Sequence, residues 1–192
     1  MKLTSDWDLL IQNIEKIKSG SMETNLSENL LVYLVVGEDH RFWLHYGVDP
    51  IGLIRAAWKS QFHNRREGGS TIAMQLVRTI TGKYEISSKR KFKEIYLATR
   101  LTVYLEKHEI LTLYLSVAYF GWNMHGIEQA CNKLQFDKDS LTKYEAASLI
   151  ARLKYPEPRY YKVNKIKKIK SRTNHLINRF NQLNLTDQYG TI

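Results

Sequence analysis

The sequence predicts a mostly α-helical protein, and three observations carry that expectation. Only three prolines occur, at Pro50, Pro156 and Pro158, so long stretches are free of helix breakers. Apolar residues recur at intervals of three and four over much of the chain, which is the helical period. Alternating apolar and polar runs, the mark of half-buried strands, are scarce. With 192 residues the chain can bury a real core in one domain, with room for a small extra lobe.

The elements follow in order. Leu9, Ile11, Ile14 and Ile17 mark a first helix. The longest apolar run is LLVYLVV, Leu30 to Val36, far short of the ~20 residues that a spanning helix needs. The opening MKLTSDWDLLIQNIEKIKSG has no signal-peptide core, so the chain reads as soluble or as one whose anchor has been cut away. After the apolar run comes GEDHRFWLHYG. If residues 37–46 are helical, Glu38, Phe42 and His45 share a face, Asp39 points aside, and Gly47 closes the helix in a left-handed cap. A glutamate beside an aromatic at the end of a buried helix is placed to move a proton; a solvated helix end fits the same letters.

The stretch EGGSTIAMQLVRTITGK, Glu67 to Lys83, offers Gly68-Gly69 for a tight turn and Ser70 as N-cap of the next helix. On that helix Thr71, Gln75 and Arg78 make a polar face beside apolar Ile72, Leu76 and Ile80. A glycine-opened helix start with hydroxyls, an amide and an arginine suits an anion, and a capped surface helix is the plainer reading. In SSKRKFKEIYLATRL, Arg90 and Glu94 stand four apart with Lys91 beside them. A surface pair of this kind contributes only ~0.3–0.5 kcal/mol, so it can be purely structural; two cations and a carboxylate also suit a pyrophosphate. From Lys89 to Leu115 an apolar stripe runs through Phe92, Ile95, Leu97, Leu101 and Leu105, then Ile110, Leu113 and Tyr114. Asp139 or Ser140 can cap a helix from Thr142 to Leu153 that Pro156 and Pro158 end. KVNKIKKIK, Lys162 to Lys170, is markedly basic.

Charge narrows the partners. A net charge of +10 suits a polyanion: nucleic acid, an anionic membrane surface or a phosphorylated substrate. The single cysteine, Cys131, excludes an internal disulfide framework and reads as a small buried hydrophobe.

The order and spacing of EDHRFWLHYGVD, GGSTIAMQLVR, RKFKEIYLATRL, KHEILTLYLSVAYFG and YEAASLIARLKYPEPRYY resemble the five motifs of the peptidoglycan glycosyltransferases, the family 51 glycosyltransferases of class A penicillin-binding proteins and monofunctional transglycosylases. The resemblance implies a mostly α fold, with a lysozyme-like helical lobe and a small membrane-facing jaw lobe. It divides the chain into an N-terminal extension at 1–25, a glycosyltransferase domain at 26–180 with the jaw near 48–66, and a C-terminal tail at 181–192. Within the jaw Ile51, Leu53, Ile54, Ala57, Trp58 and Phe62 stand among basic residues, as an interfacial segment requires; a core-packed amphipathic helix fits the same letters.

The implied reaction is polymerisation of lipid II, inverting at the donor's anomeric carbon with loss of polyprenyl pyrophosphate. Its partners are lipid II, the lipid-linked glycan chain and a membrane surface, at the outer face of the bacterial cytoplasmic membrane. No nucleic acid is implied, and the oligomeric state is left open. By the motif match Glu38 is the general base. Glu94 is a second carboxylate that organises cations or holds a divalent ion, magnesium or manganese, although no cofactor is required. Arg78, Arg90 and Lys91 face the pyrophosphate, with Ser70, Thr71 and Gln75 lining that site, and Asp39, Phe42 and His45 shape the cleft around the base.

Several positions depart from the family pattern: Ala73 and Met74 in place of Thr and Gln, Arg78 for a frequent Lys, Thr102 for a common Glu, and Ser116 for Asn. None removes the base or the cations. The rival readings are a degenerate member or one acting on another lipid-linked substrate, a lysozyme-like hydrolase, and a basic module that binds nucleic acid or lipid through Lys162 to Lys170.

Overall fold

A computed structural model describes residues 3–20, 26–63 and 68–183. The chain is mostly helical, as its periodicity predicts: α1 (Leu3–Ser19), α2 (Glu28–Glu38), a 3-10 turn (Phe42–Leu44), α3 (Pro50–His63), α4 (Ile72–Thr81), α5 (Ser88–Tyr104), α6 (Lys107–Val117), β1 (Tyr119–Gly121), β2 (Met124–His125), α7 (Gly126–Leu134), a second 3-10 turn (Lys138–Ser140), α8 (Lys143–Lys154) and α9 (Val163–Gln182). Residues 21–25, 64–67 and 184–192, which include parts of the expected extension, jaw and tail, lie outside the described residues. The side chains of Ala57 and Phe62 do too.

The chain divides into two compact units, Met1–Met22 with Arg41–Tyr114, and Glu23–His40 with Leu115–Ile192. In the first, α1 packs on α4 through Leu10 and Ile14, both fully buried, while Leu9 is half exposed. The buried face is thus turned by one residue from the expected one. The Asp6 carboxylate accepts from Lys83 (3.1 Å) and from Lys93 on α5, and the Arg100 guanidinium lies 4.1 Å over the Trp7 ring. Helix α1 therefore ties together α5 and the loop that follows α4.

Helix α4 is capped by Thr71 instead of Ser70: the Thr71 hydroxyl accepts from the Met74 N–H at 3.2 Å. It ends at Gly82, whose φ of 63° is left-handed. Ile72, Met74 and Leu76 are fully buried, and each such side chain contributes roughly 1.5–3 kcal/mol. Helix α5 opens on Ser87, whose hydroxyl accepts from the Arg90 N–H (3.1 Å).

The expected stripe from Lys89 to Leu115 differs in two respects. It breaks after α5, where the Glu106 N–H turns to the Glu109 carboxylate at 3.0 Å and α6 begins. Its buried face also runs through Glu94, Leu97, Ala98 and Leu101, leaving Phe92 72% exposed. A carboxylate thus occupies a core-facing position where the pattern favoured an aromatic.

Gly47 joins three motifs. Its φ is +79°, and a Cβ there would lie 2.3 Å from the Ala98 carbonyl oxygen on α5, so no side chain fits. Its own carbonyl accepts from the Thr71 hydroxyl at 2.6 Å. The left-handed conformation matches expectation, but it serves this close approach and not a helix end.

In the second unit α2 packs against α8 and α9. Six of its residues from Leu30 to Val36 are buried, which suits a helix that is apolar all round. Helix α2 continues through Gly37 because a Cβ there would press Ile150 (2.9 Å) and Leu176 (3.1 Å). Helix α8 is capped by Thr142, and not by Asp139 or Ser140, which form the preceding 3-10 turn. Glu145 decides this: its carboxylate takes the Thr142 N–H (2.9 Å) and its own N–H reaches the Thr142 hydroxyl (3.3 Å), completing a capping box. Helix α9 buries Ile169, Thr173 and Leu176 and exposes the lysines of the basic run.

Candidate active site

The charged centre of the first unit is Glu94, 3% exposed on the inward face of α5. Arg78 reaches it from α4 with two nitrogens, Nη2 to Oε1 at 2.7 Å and Nε to Oε2 at 3.3 Å. Arg90, one turn back on α5, donates to Oε2, and the Lys91 ammonium stands 3.5 Å from Oε1. Three permanent or near-permanent cations thus share one carboxylate, and the cluster keeps a net positive charge.

Ser70 completes it. Its Oγ accepts from Arg78 Nη2 (3.2 Å) and from Lys91 Nζ (2.9 Å). A hydroxyl has two acceptor lone pairs and one proton to donate. With both lone pairs engaged by cations, the Ser70 hydroxyl keeps its own proton to donate. This is also why Ser70 does not cap α4.

Burial holds the Lys91 ammonium below the usual lysine range, and the charges of Arg78 and Arg90 press the same way while Glu94 opposes them. An anion brought into this cluster relieves that repulsion. A cavity of about 240 Å³ opens beside it, lined by Asp6, Arg78, Lys83, Arg90, Lys93 and Glu94 among others.

Two other expected residues of this unit have different company. The Thr71 side chain is buried, with its hydroxyl engaged by Gly47 and Met74. Gln75 accepts from the Tyr114 hydroxyl at 2.7 Å. Phe42 is buried in the core, with His45 7% exposed and edge-on to it, their centroids 6.2 Å apart. The Lys107 ammonium holds this turn together by donating to the carbonyls of Phe42 (2.6 Å) and His45 and lying 4.5 Å over the Phe42 ring. Sequence reading passed over Lys107, although its place in KHEILTLYL was quoted; nothing in local spacing connects it to residues some 60 positions earlier. It also passed over Asp49, which ion-pairs with Arg41 (3.3 Å) and takes the Ile51 N–H (3.1 Å) at the start of α3. Burial pushes the Asp49 carboxyl up, and the Gly52 N–H, Arg41 and His45 outweigh it and bring it below the usual range.

In the second unit, half-buried Glu38 is the last residue of α2. The helix stops there: Asp39, 7% exposed, leaves the helical conformation while its N–H still returns to the Val35 carbonyl at 3.0 Å. Residues 37–46 are therefore not one helix, and Glu38, Phe42 and His45 share no helical face. The physical reason lies in the partners of the helix end. Arg172 on α9 donates to the Gly37 carbonyl (2.8 Å), which stabilises a terminus that needs acceptors satisfied.

A divalent ion does not fit the surroundings of Glu94. Hard cations need several oxygen ligands, whereas the groups converging on Glu94 are themselves cationic. Among the described residues no three His, Cys, Asp or Glu side chains are grouped to hold a metal.

A family model described as Transglycosylase matches residues 10–181. Penicillin-binding protein 1A of Escherichia coli (strain K12) is 35% identical over 156 residues, covering 80% of this chain and 18% of that protein. Penicillin-binding protein 1A of Rickettsia prowazekii (strain Madrid E) is 33% identical over 160 residues, 81% of this chain and 20% of the relative. That of Aquifex aeolicus (strain VF5) is 36% identical over 134 residues, 68% and 18% respectively. The chain spans about a fifth of the length of these curated relatives.

Proposed function

The chain belongs to the transglycosylase family, and we propose that it is a peptidoglycan glycosyltransferase that polymerises lipid II. The observation that carries the reading is the Arg78–Glu94–Arg90 cluster with Lys91 and Ser70, a pre-formed net-positive site. Such a site suits a reaction whose leaving group is a pyrophosphate, and hydrolysis of a glycan would have no use for it.

The incoming 4-hydroxyl oxygen bonds to the donor's anomeric carbon, the bond from that carbon to the pyrophosphate oxygen breaks, and configuration inverts. Glu38 takes the hydroxyl proton. Arg78, Arg90 and Lys91 hold the pyrophosphate as it gains negative charge, and Ser70 donates to it. Glu94 keeps the three cations aimed; a fixed array stabilises developing charge without reorganising at the moment of reaction. Gln75 and Thr71 support α4 at this site, and Asp39 follows the base at the end of α2.

The substrate is lipid-linked, so the protein works at a membrane surface, in keeping with the family at the outer face of the cytoplasmic membrane. Helix α3 supports the surface reading: Ile51, Ile54 and Trp58 are exposed on it beside Arg55. No helix among the described residues is long and apolar enough to cross a bilayer.

The test is polymer formation from labelled lipid II in detergent, with and without moenomycin, which mimics the donor in this family. Moenomycin-sensitive polymer is expected. No polymer from folded protein under several detergents would overturn the reading.

A further inference from the structure

We infer that the second unit carries a glycan-binding platform, built by Trp122 and Tyr160 around Arg159, that holds a β-linked sugar strand. The choice of ligand rests on the polymerase reading; the site itself rests on geometry.

Three large aromatics are exposed together in sequence segments that the fold brings side by side: Trp122 (40% exposed), Tyr160 (66%) and Tyr161 (78%). Single exposed apolar residues are ordinary, but a grouped set marks a contact surface. The Arg159 guanidinium lies 4.6 Å from the Trp122 ring centroid and 5.1 Å from that of Tyr160, so one cation spaces and orients both rings.

The backbone beneath is unusually well fixed for a surface loop. Trp122 N–H donates to the Glu157 carbonyl (2.9 Å) and Glu157 N–H to that of Phe120 (2.9 Å), a parallel bridge between β1 and the segment after α8. Gly121 makes this approach possible: its φ is +144°, and a Cβ would lie 2.4 Å from the Glu157 nitrogen. The Glu157 carboxylate is in turn held by Arg152 at 2.8 Å, and the Lys133 ammonium donates to the Trp122 carbonyl. Pro156 and Pro158 flank the bridge and limit its freedom.

The bridge thus seats exposed rings on a backbone anchored by buried Phe120 and Arg152. A pre-ordered platform loses little entropy on binding. Pyranose rings present apolar C–H faces that stack on aromatics, and their hydroxyls bond to the polar tips and to Arg159. Arg159, Lys133 and Lys162 add a positive rim that complements a strand bearing acidic peptide stems. Such a platform retains the polymer between additions and so sets product length.

The probe is chitotetraose, a soluble lipid-free β-1,4 oligosaccharide, titrated against the protein while the indole N–H resonances are followed. The expected result is a saturable shift of the Trp122 signal, identified by its absence in Trp122→Phe, with binding itself retained in that variant. Trp122→Ala and Tyr160→Ala should each bind about tenfold more weakly, with unchanged unfolding temperatures for Tyr160→Ala. Both alanine variants should still start chains from lipid II and make shorter products.

No shift at Trp122, or equal binding by both alanine variants, overturns the platform. So does loss in those variants of binding to single-stranded DNA or anionic vesicles but not to the oligosaccharide. Because the titration uses no lipid-linked substrate, its outcome is separate from that of the polymerisation assay. A protein that binds chitotetraose through Trp122 yet makes no polymer sinks only the reaction.

Discussion

Glu38 closes a helix whose neighbours are almost all aliphatic, whereas Glu94 sits in mid-helix with cations on both of its oxygens. Arg78 Nη2 and Lys91 converge on one Glu94 oxygen, Arg78 Nε and Arg90 on the other, so the carboxylate's acceptor positions are filled from within the fold. To take a substrate proton, Glu94 would have to abandon that array. The backbone at Glu38 is held by α2, by the close packing at Gly37 and by Arg172 on the preceding carbonyl. Under the proposed reaction these two residues of one type have different work, Glu94 to hold charge in place and Glu38 to handle a proton.

The largest expected effect tests the Glu38 half of this contrast. Glu38→Gln keeps size and removes basicity, so polymerisation from lipid II should fall by ~10²–10⁴-fold while the unfolding temperature holds. A variant with full activity would remove Glu38 from the chemistry and dissolve the contrast. Glu94→Gln should behave differently, losing activity and stability together. Three cations would be left without their counter-charge, at a cost of about 1–3 kcal/mol after allowing for the partial exposure of the partners. A several-degree fall in unfolding temperature reads this out, and an unchanged one would show that Glu94 does not hold the cluster.

Smaller effects sharpen the picture. Arg78→Ala and Arg90→Ala should each raise KM for the lipid-linked donor about tenfold to a hundredfold, the weight of one charge-assisted hydrogen bond. Unchanged steady-state kinetics in both would place the pyrophosphate elsewhere.

The smallest effect concerns pH. Lys91 in the folded protein loses its proton below the usual lysine value, so raising pH through that lowered value removes a charge that the donor needs. Donor affinity should weaken on the alkaline side sooner than an ordinary lysine would cause, and Lys91→Arg should flatten that limb. Stability has the opposite sign. Between the lowered and the ordinary value the unfolded chain binds more protons, so the strain of a charged, desolvated Lys91 is relieved as pH rises. An alkaline limb identical in wild type and Lys91→Arg would remove Lys91 from donor binding.

Much of the site could be read along the chain because helical spacing is local. Arg90 and Lys91 fall beside Glu94 by the i,i+4 and i,i+3 rule, whatever the rest of the protein does. The same rule misjudged Phe92, since the apolar stripe has two possible rotations and only a partner helix selects one. It also misjudged residues 37–46 as one helix, whereas Gly37 lets α2 pass close to Ile150 and Leu176 and the helix ends at Glu38. At α8 a capping box was present in the letters T-x-x-E, and reading Asp139 or Ser140 as the cap overlooked that Glu145 needs Thr142.

The helical class, the order of the five motifs and hence the family, and each residue's neighbours within its own helix are all written in the linear chain. These follow from the 3.6-residue period and from spacing, which need no distant partner. It took the folded chain to show that Arg78 meets Glu94 across α4 and α5, that Ser70 joins Arg78 and Lys91, that Asp6 bridges Lys83 and Lys93, and that Arg159 lies between Trp122 and Tyr160. Those meetings depend on which apolar faces bury against one another. That choice is made by the whole set of packed side chains together, and no single stretch of sequence contains it.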